Sequence, residues 1–382
     1  MEERIRFPYE YDPVKRKLAK IYTKQKIIQA SIISVIIPLA FFSIFVLTGM
    51  SEVTRSFSTY LSQSWDVPIY LSILFGLLLL IITPLSFYFG YVFEKKYGLS
   101  KQTVVAWFTD HLKIEGLLFL VLILGGVGLH FIWDSFPSYW WIIASVCFFG
   151  ILLFIGTIFP ILLIPFLWKT EDFKDEARKR KLADIAKKSG IGAVDKVIVV
   201  KESEKSKKVN AGLAGFGKTR SIFIFDNLLN KFTPKETDVI FAHEMGHHVN
   251  NDVIKGTALS SLLTFSTFFV IAIVIMPIAS SVGIQSLSDI AIFPLFAALF
   301  IAIQIGIRPI NLVYSRKRER LADQFALDTI RDPEAQISAF KRLADIDLAD
   351  DSPSPSVEAW LFSHPSINMR IKHCESWKAK RD

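Results

Sequence analysis

Residues 241–248 read Phe-Ala-His-Glu-Met-Gly-His-His, and His243, Glu244 and His247 within them form H-E-x-x-H. On an α-helix, residues four apart stack on one face, roughly 5–6 Å apart at Cβ. Two neutral imidazoles at that spacing can hold one Zn²⁺. Glu244, one position on from His243, can reach a water activated by the ion and take its proton. Three fixed positions recur by chance, and an exposed polar helix with two histidines has the same pattern. A catalytic zinc usually has a third protein ligand and one open position for water. Tyr314–Asp323 is a charged helical run in which Glu319 and Asp323 lie four apart on one face. Glu319 could complete the ligand set while Asp323 accepts a hydrogen bond from the free ring nitrogen of a ligand histidine. A solvated face, with Arg316, Lys317, Arg318 and Arg320 pairing with these carboxylates, fits the same charge pattern.

The helix that must carry the two histidines is well marked. Thr233-Pro234-Lys235-Glu236 reads as a capping box, with Thr233 at the N-cap, Pro234 at the first helical position and Glu236 three residues after the cap. Val239, Ile240, Ala242, Met245 and Val249 then supply apolar positions at helical spacing, with no breaker before Asn250-Asn251. Gly246 inside this helix costs roughly 1 kcal/mol relative to Ala. Its presence makes sense if another segment must approach the metal-bearing face closely.

The chain has 382 residues, 51% of them apolar, with a mean hydropathy of +0.39. That is the composition of a polytopic membrane protein. Six apolar runs each meet the roughly 18–20 residues needed to cross a bilayer: Ile27–Gly49, Val67–Phe93, Ile114–Trp133, Tyr139–Trp168, Gly256–Ala279 and Ile290–Ile307. Trp133, Tyr139, Trp140 and Trp168 near their ends suit interfacial anchoring. With six spans both termini share one side, and the opposite loops are 50–66, 134–138 and 280–289. Of all Lys and Arg, Arg55 alone falls in those loops. The positive-inside rule therefore places both termini, the histidine pair and Glu319 in the cytosol. The basic arm before the first span has no small-residue cleavage site after it and reads as a retained anchor. The net charge of +8 is that of cytosolic loops lying against anionic lipid, and no aromatic-basic module points to nucleic acid. Cys147 and Cys374 imply no disulfide framework. Glu115, His130 and Gln304 lie within or at the ends of spans, where ionisable groups are functional candidates, although snorkelling is cheap near a span's end.

Between the fourth and fifth spans, Glu171–Ser189 reads as a polar helix ending at Gly190, Lys196–Val200 and Ser221–Phe225 as strands, and Glu202–Lys208 as a charged turn. A zincin offers an exposed edge strand along which a substrate backbone can add, and Asn210, Ala211 and Gly212 are the candidates for it. Gly212–Thr219 also satisfies G-x-x-x-x-G-K-[ST], but a phosphate-binding loop follows a buried strand and opens a helix. Here Ser221–Phe225 comes next, which looks like strand, so these glycines read as turn formers and no nucleotide is expected. Arg308-Pro309 is expected to end the last span's helix, and Ala326–Leu343 to be amphipathic helix. His364, in Ser363-His364-Pro365, could contact substrate or stabilise a tetrahedral intermediate; a surface His-Pro turn is the alternative.

Several of these segments together resemble the type I CAAX prenyl proteases, membrane zinc endopeptidases of the gluzincin kind. That family joins its H-E-x-x-H helix to a later S-R-x-x-E-x-x-A-D helix, and Ser315, Arg316, Glu319, Ala322 and Asp323 match every fixed position. Asn210-Ala211-Gly212, Gly215–Arg220 and Ile224-Phe225-Asp226 resemble the segment before the metal helix. Glu94–Thr103 resembles the loop after an early span, and Ser363–Ile371 the C-terminal His-Pro segment. The resemblance implies a chamber enclosed by seven membrane helices, where six spans are read here. It implies as substrate a peptide or protein bearing a prenylated C-a-a-X terminus and losing its last three residues. Family members often carry an aromatic after the second ligand histidine and a His five residues beyond that ligand; here those places hold His248 and Asp252.

The expected fold class is mainly α, a polytopic α-helical membrane protein with a small cytosolic zincin-like α/β insertion carrying the metal site. The expected organisation is a basic arm (1–26), four transmembrane helices (27–168), a cytosolic catalytic segment (169–255), two transmembrane helices (256–308) and a cytosolic C-terminal part bearing the third ligand (309–382). Glu244 is the expected catalytic base, with one Zn²⁺ on His243, His247 and Glu319. The partners are a peptide substrate and the lipid bilayer, in a bacterial inner membrane or a eukaryotic endoplasmic reticulum membrane. The rivals are a quality-control protease like HtpX, with the same metal motifs, and a transporter or scaffold in which H-E-x-x-H is fortuitous. The longer N-terminal half and the Tyr97–Thr103 match favour the prenyl-protease type.

Overall fold

The computed structural model describes residues 5–381 apart from 63, 158, 189–195 and 215–220. Six helices among them are long and apolar enough to cross a bilayer: Pro13–Leu47, Asp66–Lys96, Val104–Ser135, Trp140–Thr157, Asp252–Ser281 and Ile290–Ile330. The first contains α1 (Pro13–Ser31) and α2 (Ile37–Leu47), joined by a π-helical turn. Then come α3 (Asp66–Phe87), α4 (Val104–Ser135) and α5 (Trp140–Thr157). The fourth expected span, Tyr139–Trp168, is covered by α5 and by a short helix at Phe159–Leu167, and residue 158 between them lies outside the described residues.

The next segment holds a four-stranded sheet. It comprises β1 (Thr170–Asp172), β2 (Lys196–Val200), β3 (Ala211–Ala214) and β4 (Ser221–Phe225), in the order β1-β2-β4-β3. β2 and β4 run parallel, while β1 and β3 are antiparallel to their neighbours. All five residues of β4 are buried, as a central strand reading Ser-Ile-Phe-Ile-Phe demands. The helix expected from Glu171 begins only at Glu176, as α6 (Glu176–Lys188), because residues 170–172 extend the sheet beside β2. β3 lies at the sheet's edge, so Ala211 and Gly212 fall on an edge strand and Asn210 just precedes it. Gly215–Thr219 of the phosphate-loop pattern lies outside the described residues, and residues 221–225 beyond it form strand β4.

Past the sheet come α7 (Pro234–Val249), α8 (Asp252–Ser281), α9 (Phe293–Ile330), α10 (Pro333–Ile346) and α11 (Ile367–Ala379). Two sequence expectations fail here. Pro309 does not end a helix, since α9 runs through it for 38 residues. An internal proline costs one bond to the carbonyl four residues back, and the rest of so long a helix keeps its ladder. The amphipathic run Ala326–Leu343 is split instead at Arg331, which adopts φ 58°, with the Asp332 side chain capping α10.

Two main cores result. One is aromatic and lies among the spans, with Phe42, Tyr70, Leu71, Trp133, Trp140, Phe268 and Phe293 at its centre. The other packs β2 and β4 against α6, α7, α9 and α10 through Leu182, Ile222, Ile224, Val239, Ala242, Met245 and Ala326. The polar groups in the spans bridge helices and loops: Glu115 accepts from Thr83 of α3 at 3.1 Å, His130 Nε2 lies 2.9 Å from the Ser288 carbonyl and Gln304 reaches Thr267. Arg55, the basic residue of the loops opposite, is paired with Asp289 at 2.6 Å.

Candidate metal centre

α7 starts where the sequence places it. Thr233 Oγ1 accepts from the Glu236 amide at 3.3 Å, and Glu236 accepts from the Thr233 amide at 2.8 Å. Glu236 is also fully buried and takes hydrogen bonds from Ser338 (2.5 Å) and Arg342 (3.1 Å) of α10. The cap that begins the histidine helix is thus also its anchor to the C-terminal helices. Residues 9–16 strap over α10, where Asp345 accepts from Tyr9 and Arg16.

α7 packs on α9 at Gly246. A Cβ there would lie 2.9 Å from Ala322 Cα, closer than any real Cβ approaches backbone. Only glycine permits this crossing, and the crossing carries Glu319 and Asp323 of α9 up to the imidazoles. His243 Nε2 and His247 Nε2 are 3.2 Å apart. Each lies 3.4 Å from an oxygen of Glu319, His243 from Oε2 and His247 from Oε1.

These separations test whether a metal fits. A tetrahedral zinc with nitrogen and oxygen ligands at roughly 2.0–2.1 Å has ligand–ligand edges of about 3.3 Å. The edges here are 3.2, 3.4 and 3.4 Å. Two imidazole nitrogens facing each other at that distance bind poorly to one another but suit a shared cation. Glu319 Oε2 is also buried without an aligned hydrogen bond. Among the described residues, these three form the group whose donor atoms converge for a metal.

Each imidazole is oriented from behind by its own aspartate. His243 Nδ1 lies 2.8 Å from Asp323 Oδ1, and His247 Nδ1 lies 2.7 Å from Asp252 Oδ2. Asp323 is the orienting residue expected from sequence; Asp252 was not recognised in that role. Asn251, at φ 54°, turns the chain sharply between α7 and α8 and returns Asp252 to His247. Arg370 on α11 was also missed. It donates to Asp323 from Nε (2.8 Å) and Nη2 (2.6 Å), and its guanidinium lies 4.1 Å from the Phe340 ring centroid. The signal was present for both, one residue five places past His247 and the other inside the His-Pro segment, but neither pattern names its partner.

The electrostatics reflect this crowding. Burial disfavours the charged form of His243, yet its hydrogen bonds to Asp323 and Glu319 win and push the imidazole up to about 10. The same field attracts a divalent cation. Burial pushes the Glu244 carboxyl up, and the charge of Glu319 adds to this against the two histidines. The Glu244 side chain has no hydrogen bond or ion pair among the described residues, which leaves its carboxyl available for proton transfer. His364 Nδ1 lies 2.8 Å from Glu319 Oε2 while 59% of its side chain stays exposed, so one face of the ring is free for another molecule. β3 packs along α7, with the Asn210 carbonyl accepting from the Phe225 amide at 3.1 Å.

Residues 172–378 match the model of peptidase family M48, and residues 7–169 match that of the CAAX prenyl protease N-terminal region, described as five membrane helices. Four of the long apolar helices precede residue 169 here. The uncharacterized metalloprotease YhfN of Bacillus subtilis is 28% identical over 348 residues, covering 89% of this chain and 81% of that protein. CAAX prenyl protease 1 of Saccharomyces cerevisiae is 32% identical over 205 residues, 52% of this chain and 44% of that one. The crystal structure of S. mikatae Ste24p is alike in fold, with a TM-score of 0.85 and 23% identity over 98% of this chain and 92% of that one.

Proposed function

The chain belongs to peptidase family M48 as a membrane metalloendopeptidase, and on that premise we propose that it is a zinc enzyme removing the last three residues of prenylated C-a-a-X termini. The observation that carries the reading is the convergence of His243, His247 and Glu319, with each imidazole held by a separate buried aspartate. These three residues would hold Zn²⁺, which would supply Lewis acidity toward the scissile carbonyl and the attacking water. Glu244 takes the proton from that water and returns it to the leaving amine. Asp323 and Asp252 fix the tautomers that present Nε2 of both histidines to one point. His364 donates toward the oxygen on which charge develops. The substrate backbone adds along β3 near Asn210 and Ala211. The arrangement of basic residues puts this end of the molecule and both termini on the cytosolic side.

The test is metal analysis of the purified protein with hydrolysis of a farnesylated C-a-a-X peptide, wild type against Glu244→Gln. Wild type carries one zinc and cleaves the peptide, and a chelator abolishes cleavage. Glu244→Gln keeps the zinc and loses roughly 10²–10⁴-fold in rate. Zinc-free wild type, or a fully active variant, overturns the mechanism. Degradation of an unfolded membrane protein with no cleavage of the farnesylated peptide assigns the quality-control role instead.

A further inference from the structure

Beside the metal centre, a pocket of about 440 Å³ opens between α1 and α9, bounded by Lys26, Arg308, Asp347, Leu348, Phe362 and His364. That size suits a small ligand or a short peptide segment. His364 ties the pocket to the centre, because the imidazole that lines it lies 2.8 Å from Glu319. Of the basic groups nearby, most are already engaged. Arg316 donates to the carbonyls of Glu358 (2.9 Å) and Phe362 (2.8 Å), and Arg318 to that of Asp252 (2.6 Å). Lys26 is paired with Glu94. Arg308 is exposed and makes no hydrogen bond or ion pair among the described residues.

Arg308 and Glu319 belong to the same helix, eleven residues apart, which is three turns and about 16 Å along one face. Three extended residues reach about 10–11 Å. The shortfall of roughly 6 Å is less than the length of an arginine side chain. A peptide cut at the metal centre three residues from its end would thus bring its terminal carboxylate within reach of this guanidinium. The apolar walls contributed by Leu348 and Phe362 suit the side chains between. Asp347 also faces the pocket, and burial raises its carboxyl toward the neutral form against the pull of Lys208 and Lys231.

We propose that Arg308 receives the free α-carboxylate of the substrate's C-terminal residue, so that helix α9 sets the distance from chain end to scissile bond. This rests on the C-terminal cleavage proposed above. The alternative occupant of an unpaired arginine at the end of an apolar stretch is a lipid phosphate reached by snorkelling.

The experiment compares one farnesylated C-a-a-X peptide as free acid and as C-terminal amide, with wild type, Arg308→Gln and Arg308→Lys of verified zinc content. A charge-assisted hydrogen bond corresponds to a preference of roughly tenfold to a hundredfold in kcat/KM, expressed mainly in KM. Wild type should favour the acid by that factor. In Arg308→Gln the ratio falls toward one, and Arg308→Lys restores part of it. A wild-type ratio near one, or an unchanged ratio in Arg308→Gln, overturns the proposal. An equal loss on both peptides assigns Arg308 to lipid or to folding and also overturns it. Wild type that cleaves neither peptide, yet degrades an unfolded protein, shows instead that the C-terminal substrate reading has failed and takes the proposal with it.

Discussion

Gly246 and Gly126 both lie inside long helices that press against a second helix, but what they meet differs. An added Cβ at Gly246 runs into the backbone of α9, 2.9 Å from Ala322 Cα. At Gly126 it runs into the end of a side chain, 2.6 Å from Leu71 Cδ1. The first contact cannot yield without moving a helix; the second can turn aside. The contrast extends to the regions around them. At the metal centre, positions are held by particular groups at particular distances, such as the Arg370–Asp323 fork and the two aspartate–histidine pairs. Among the spans, interlocking rings do the holding, with Trp133, Trp140, Phe268, Phe293 and Phe296 packed edge to face or tilted. Charged anchors fail abruptly when one partner is lost, whereas apolar packing degrades by degrees.

Arg370→Ala should produce the largest loss of stability. It leaves Asp323, 1% exposed, with the His243 imidazole as its remaining side-chain partner, and removing one side of a buried charge pair typically costs about 3–5 kcal/mol. Thermal unfolding in detergent should show a marked fall in Tm, and Arg370→Lys, which keeps the charge but not the fork, should recover only part of it. An Arg370→Ala protein that melts with wild type would erase the distinction between the two regions. Gly246→Ala comes next. Its gain in helix propensity, roughly 1 kcal/mol, opposes an overpacking cost of about 1–3 kcal/mol. With backbone as the obstacle the cost wins, and relief requires α9 to shift, taking Glu319 with it. Zinc content should fall and peptide hydrolysis drop at least roughly tenfold. Full zinc and full rate would mean the helix crossing is looser than its geometry implies.

The two regions also differed in how much of them could be read from sequence. The spans are legible as composition, because crossing a bilayer requires only length and apolarity, but which ring packs on which is not encoded in any period. The start of α7 was legible to the residue, since capping is a local agreement between Thr233 and Glu236. Gly246 announced a close neighbour without saying which. Spacing left the pairing of Glu319 with the histidines, and of Asp323 with one of them, open against a solvated face; the family resemblance favoured it, and which histidine Asp323 meets was not legible. Asp252 and Arg370 escaped altogether. Their partners are fixed by a left-handed turn at Asn251 and by the docking of α11, neither of which leaves a periodic trace. The passage of α9 through Pro309 was misread because a proline's local penalty was weighed without the hydrogen bonds of the long helix around it.

Asp347, at the end of α10, gives a prediction that separates the regions by pH. Burial pushes its carboxyl up from 3.8 to about 6, despite Lys208, Lys231 and a hydrogen bond from the Val209 backbone. A folded-state value above the unfolded one means stability that is fully present below about pH 4 and lost as the pH rises through 6. Asp347→Asn should therefore match wild type near pH 4 and exceed it above pH 7, by about 1–3 kcal/mol. Parallel Tm profiles for the two proteins from pH 4 to 8 would contradict this; a widening gap in favour of the variant is expected.

The smallest effect should come from Gly126→Ala, and its smallness is what the comparison requires. Alanine gains up to roughly 1 kcal/mol in a helix interior. Against that, the Leu71 methyl must swing away, and an off-rotamer side chain costs about 0.5–1.5 kcal/mol. Space for the movement exists, because Gly126 borders an apolar cavity of about 510 Å³ among the spans. The two contributions nearly cancel, so Tm should change by no more than a few degrees in either direction, with zinc content and hydrolysis unaltered. Gly126→Leu extends the same test, since it asks the cavity to absorb a whole side chain where Gly126→Ala asks for one methyl. If the alanine variant already loses metal, then the packing of α4 on α3 is transmitted to the histidine pair, and the metal centre is not held by its own anchors alone.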